Sequence, residues 1–121
     1  MTRFMNKTLH AYLDYPVALG LIAMPFVLRL GAVNPLAFWL SVLTGVAALV
    51  LTIFTDHQFG VVKILPYKLH LLVDFMVGAA FVAAPFVLGF AGLEAVYYWV
   101  LGATVLLVVA LDNTQDVAPA V

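Results

Sequence analysis

Two histidines and two aspartates stand in matched pairs in an otherwise apolar chain: His10 with Asp14, and His70 with Asp74. Positions four apart lie on one face of a helix, one turn apart, so each histidine can hydrogen-bond its own aspartate. Three chemistries fit such a pair. As a polar clasp it ties helix ends together and holds a bundle in register. As a proton or ion handler, two nearby carboxylates hold one proton between them beside histidines that titrate near neutrality. As a ligand set, two His and two Asp offer nitrogen and oxygen donors suited to zinc or another divalent metal. His10 and His70 would also serve as two axial haem ligands on facing helices. Haem is the weaker fit, because the histidines sit near helix ends and the aspartates would crowd the macrocycle. His57, in "TDHQFG", belongs to the same side of the chain's layout and joins the candidate site.

The elements that must position these groups are membrane helices. Of 121 residues, 66% are hydrophobic and 9% are charged, with a mean hydropathy of +1.16. A water-facing domain carries about 25% charged residues. Cysteine is missing, which excludes disulfides, thiolate catalysis and Cys-ligated metals. Four runs reach the roughly 20 apolar residues that cross a bilayer: about Lys7–Leu30, Leu36–Phe54, Lys68–Phe90 and Ala95–Leu111. The first begins in polar residues and lacks a clear cleavage site, which speaks against a signal peptide. Four spans put both termini and the middle loop on one side. Arg3, Lys7, Lys63 and Lys68 lie there, against Arg29 opposite, so the positive-inside rule predicts cytoplasmic termini. Phe38, Trp39, Tyr97, Tyr98 and Trp99 read as an aromatic belt at the far interface.

Residues 8–57 align on 68–117 without a gap. His10/His70, Asp14/Asp74, Pro25/Pro85, Phe26/Phe86, Trp39/Trp99, Thr44/Thr104 and Asp56/Asp116 coincide. The expected fold is therefore an all-α integral membrane bundle of four transmembrane helices. It is built from two parallel-oriented two-helix repeats, related by a pseudo-twofold axis along the membrane normal. The layout predicts a single domain over 1–121, with 112–121 expected to form a flexible tail. Pro25 and Pro85 each remove a helical hydrogen bond, which frees the carbonyls of Leu21 and Phe81. This makes each a kink, serving either as a shape device or as a hinge whose opened carbonyl binds an ion. Small residues at Ala18 and Gly78, with Gly20, Ala23 and the Ala79/Ala83 and Ala80/Ala84 pairs, predict that the first and third helices meet at the axis.

With two tandem two-helix units, each carrying a proline late in its first helix, the chain resembles the SPW-repeat family of small bacterial membrane proteins. The motif Ser-Pro-Trp is replaced here by Met24-Pro25-Phe26 and Ala84-Pro85-Phe86. The resemblance implies four helices in the bacterial inner membrane and brings no catalytic residue with it. Ser41 is the only serine, and there is no phosphate loop and no basic cluster for nucleic acid. The leading expectation is a non-enzymatic structural or interaction module. It would be embedded in the lipid bilayer, as a homo-oligomer or a subunit of a membrane complex. The alternative is a metal- or cofactor-binding, or proton- or ion-handling, protein that uses the His/Asp cluster.

Overall fold

A computed structural model describes residues 7–55, 61–62 and 64–112, with side chains from Tyr12 onward. Four helices follow in order: α1 (Lys7–Val27), α2 (Pro35–Phe54), α3 (Tyr67–Leu88) and α4 (Gly92–Leu111). Their limits follow from local chemistry. Asn34 caps α2, its side chain accepting the Leu36 amide at 3.0 Å, and Pro35 stands where a missing N–H costs nothing. Helix α3 stops at Gly89, which takes the left-handed conformation at φ 76. Sixty residues earlier, Arg29 adopts φ 55 just past the end of α1. Both odd helices therefore end two residues or more before the apolar run does.

Helices α2, α3 and α4 are long and apolar enough to cross a membrane, and Tyr12–Val27 of α1 is a shorter apolar helix. With 21 residues, α1 as a whole extends roughly 30 Å. Only about a quarter of each of α2, α3 and α4 is buried within the chain. The outward side chains include Leu43, Phe75, Phe86, Val100 and Leu107. Apolar surface on that scale belongs in hydrocarbon, where no water penalises it. This is an all-helical membrane protein.

Backbones approach closely inside each hairpin, α1 against α2 and α3 against α4. A Cβ added at Gly45 of α2 would lie 2.9 Å from the Ala18 carbonyl of α1, and one at Gly102 of α4 would lie 2.8 Å from the Gly78 carbonyl of α3. The expectation that α1 and α3 meet through these small residues is corrected: Ala18 and Gly78 face their own hairpin partners. Ala79, Ala80 and Ala83 are exposed. The reason is connectivity, since short turns at 28–34 and 89–91 make each hairpin its own nearest neighbour. Between the hairpins lies an interior cavity of about 370 Å³, with walls from all four helices.

Candidate functional site

At the end of the cavity near the start of α3, three helices meet on one imidazole. His70 is 2% exposed, and its Nε2 lies 3.2 Å from Asp74 Oδ2 on its own helix and 3.4 Å from Asp14 Oδ2 on α1. Its Nδ1 lies 2.7 Å from Thr55 Oγ1, at the C-terminal cap of α2. Thr55 also donates to the Leu51 carbonyl at 2.6 Å. Tyr67 stacks beside the ring at 6.3 Å between centroids, and its hydroxyl donates to Asp112 at 2.6 Å. The donor atoms of Asp14, His70 and Asp74 all lie within 4.8 Å of one another.

The structure thus brings together three of the five residues read from the sequence. His10 falls in α1, but its side chain lies outside the described residues, as does all of His57. The i,i+4 contact within α3 is present, and a contact between Asp14 and His70 crosses from one hairpin to the other. Thr55 was missed. Only its place just beyond a charge-free run hinted at a role.

The rest of the cavity wall is apolar, with Val17, Leu21, Leu51, Val77 and Val105 among its residues. The hydroxyls of Thr44, Thr52 and Thr104 line it too, and those of Thr52 and Thr104 donate to carbonyls of their own helices, Ala48 and Val100. The strongest polar chemistry inside the cavity is therefore the His70 cluster.

A second set of polar ties closes the opposite end. Pro25 frees the Leu21 carbonyl, and Ser41 of α2 donates to it at 2.8 Å. That use of the serine proton makes Tyr97 of α4 the donor in the 2.6 Å contact between the two hydroxyls. Tyr98 donates to the Ala37 carbonyl at 2.6 Å and packs on Phe81 and Phe90. Glu94, 5% exposed in the first turn of α4, accepts the amides of Gly31 at 2.9 Å and of Val33 and Asn34 at 3.4 Å through Oε2. Asn34 in return donates to the Leu88 carbonyl at 2.9 Å. At the first proline the opened Leu21 carbonyl is taken by the serine hydroxyl. At the second proline the matching position, 101, is leucine and carries no hydroxyl. Phe26 and Phe86 lie outward and exposed. Phe26 meets Phe38 at 4.9 Å and Phe86 meets Trp99 at 5.6 Å.

Glu94 was also overlooked. It is a lone acid between two apolar runs, and a helix N-terminus is where a buried carboxylate finds amides to accept.

Comparison with protein families matched residues 8–112 to the SPW repeat domain. Comparison with curated proteins and with solved structures returned no match.

Proposed function

The chain belongs to the SPW-repeat family of membrane proteins, and from that premise we propose that it is a non-enzymatic module of the bacterial cytoplasmic membrane. Its polar residues lock two helical hairpins into one rigid unit for association with like copies or with a larger complex. The observation that carries this reading is the Asp14–His70 contact at 3.4 Å, because it joins the hairpins where a cavity separates their backbones. Buried polar groups in a membrane helix are expensive and face the protein interior. Here they are spent on contacts between helices. The ties through Ser41, Tyr97, Tyr98, Asn34 and Glu94 do the same at the other end. Both termini lie in the cytoplasm under the positive-inside rule, and the mostly unburied apolar helices offer surface for lipid and partners.

The test is His70→Ala in the purified full-length protein. Removing the imidazole leaves the Asp14 and Asp74 carboxylates without their shared partner in a low-dielectric site, which costs about 3 kcal/mol. Unfolding in mixed micelles should register that loss, while reconstituted vesicles leak protons no faster than protein-free ones. Unchanged stability would overturn the clasp. A proton flux carried by the wild type and abolished by His70→Ala would replace it with conduction.

A further inference from the structure

We propose that the clasp is closed by a metal ion: Asp14, His70 and Asp74 bind one divalent cation per chain, zinc being the best match, at the polar end of the interior cavity. The inference rests on the clasp reading and adds the ligand that the clasp takes.

Proton counting leads there. A carbonyl oxygen only accepts, so the 2.6 Å contact between Thr55 Oγ1 and the Leu51 carbonyl uses the threonine's single proton. The 2.7 Å contact between Thr55 Oγ1 and His70 Nδ1 must then use a proton on Nδ1. In a neutral imidazole this leaves a lone pair on Nε2. That lone pair faces Asp74 Oδ2 at 3.2 Å and Asp14 Oδ2 at 3.4 Å. Two carboxylates converging on one ring nitrogen inside an apolar bundle are balanced by a cation among them, either a second ring proton on Nε2 or a metal ion, and the metal is the one proposed here. A histidine whose other nitrogen donates to an outer group is also the usual arrangement of a metal ligand, because that bond fixes the tautomer and the ring.

The distances bear on which cation. A charge-assisted N–H···O contact runs about 2.7–2.9 Å. Ligands about 2.0–2.1 Å from a tetrahedral zinc stand about 3.3–3.4 Å apart; the Nε2-to-carboxylate separations of 3.2 and 3.4 Å lie close to that, and the three donor atoms, within 4.8 Å of one another, would draw in slightly around the ion. One imidazole and two carboxylates, with no thiolate in the chain, suit a borderline-hard divalent ion. Two carboxylates also cancel its double charge, which matters where unbalanced charge is costly. All three ligands line the cavity, which would have room to supply a water or a small donor to the ion.

The experiment uses the full-length protein, purified in detergent and dialysed against a weak chelator. Elemental analysis should give close to one zinc per chain. Cobalt(II) added to the stripped protein should produce the visible absorption of a tetrahedral site. Asp14→Asn and Asp74→Asn keep shape and remove a ligand charge, so each should lower zinc affinity at least tenfold in a chelator competition. Thr55→Ala keeps every ligand and should lower it by about 10–100-fold through the freed ring. Should the Asn variants fail to fold, the wild-type cobalt spectrum still decides. A wild type that binds neither zinc nor cobalt stoichiometrically overturns the metal, with the Nε2 position held by a proton alone. In that outcome the clasp itself survives if His70→Ala still loosens the bundle, so the two failures are distinguishable.

Discussion

Ser41→Ala tests whether a serine repairs the backbone that Pro25 breaks. Ser41 is fully buried, donates to the Leu21 carbonyl at 2.8 Å and receives the Tyr97 hydroxyl at 2.6 Å. Alanine orphans both groups. A buried polar group left unsatisfied costs about 1–3 kcal/mol, whereas single hydrogen bonds between membrane helices average about 0.6 and reach about 1.7 kcal/mol. Two losses in one place should then sum to about 2 kcal/mol. The proline makes the cause separable. In a Pro25→Ala background residue 25 regains its N–H, the Leu21 carbonyl has a helical donor, and only Tyr97 is orphaned by Ser41→Ala. The serine substitution should therefore cost about 1 kcal/mol less in that background. Equilibrium unfolding of the four proteins of the cycle, followed by circular dichroism in mixed micelles, gives the difference directly. Equal costs in the two backgrounds would refute the repair, however large those costs are.

Glu94→Ala removes the acceptor for the amides of Gly31, Val33 and Asn34, and should destabilise by about 2–3 kcal/mol; amide exchange at Gly31 and Val33 should accelerate more than exchange in the middle of α3. Gly102→Ala puts a methyl group 2.8 Å from the Gly78 carbonyl and Val82, so α3 and α4 must separate at a cost of about 1–3 kcal/mol, read as a lower melting temperature. Arg29→Gly relieves a left-handed residue and should stabilise by up to about 1 kcal/mol in the same melting assay, with no change in helix content.

Much of this architecture was legible in the sequence for one reason: apolar runs of bilayer length between polar breaks allow few alternatives. The start of α2 follows from Asn34-Pro35 and the end of α4 from the polar residues after Leu111, whereas α4 begins at Gly92, three residues before the apolar run at Ala95. The early end of α3 at Gly89 is a readable glycine signal, whereas the same turn at Arg29 is not, because arginine rarely takes φ 55. Pairing of α1 with α3 was misread. Small residues permit close approach without saying to which helix, and the short turns decide it. The repeat made Asp14 and Asp74 candidates for one site. Helical spacing predicts only the contact of His70 with Asp74, while the contacts with Asp14 and Thr55 depend on how separate helices pack. Ser41 and Tyr97 lie 56 residues apart, and no local pattern links them.

The claim that two hairpins are locked together at one imidazole is tested most directly by a double-mutant cycle between Asp14 and His70. Unfolding free energies of the wild type, Asp14→Asn, His70→Gln and the double variant give the coupling energy between α1 and α3. Side chains in direct contact couple by about 0.5–3 kcal/mol. A buried carboxylate–imidazole contact 3.4 Å apart should fall in the upper half of that range, with the double variant much less impaired than the sum of the singles. Additive losses, with coupling indistinguishable from zero, would mean that the two residues stand side by side without holding the hairpins together.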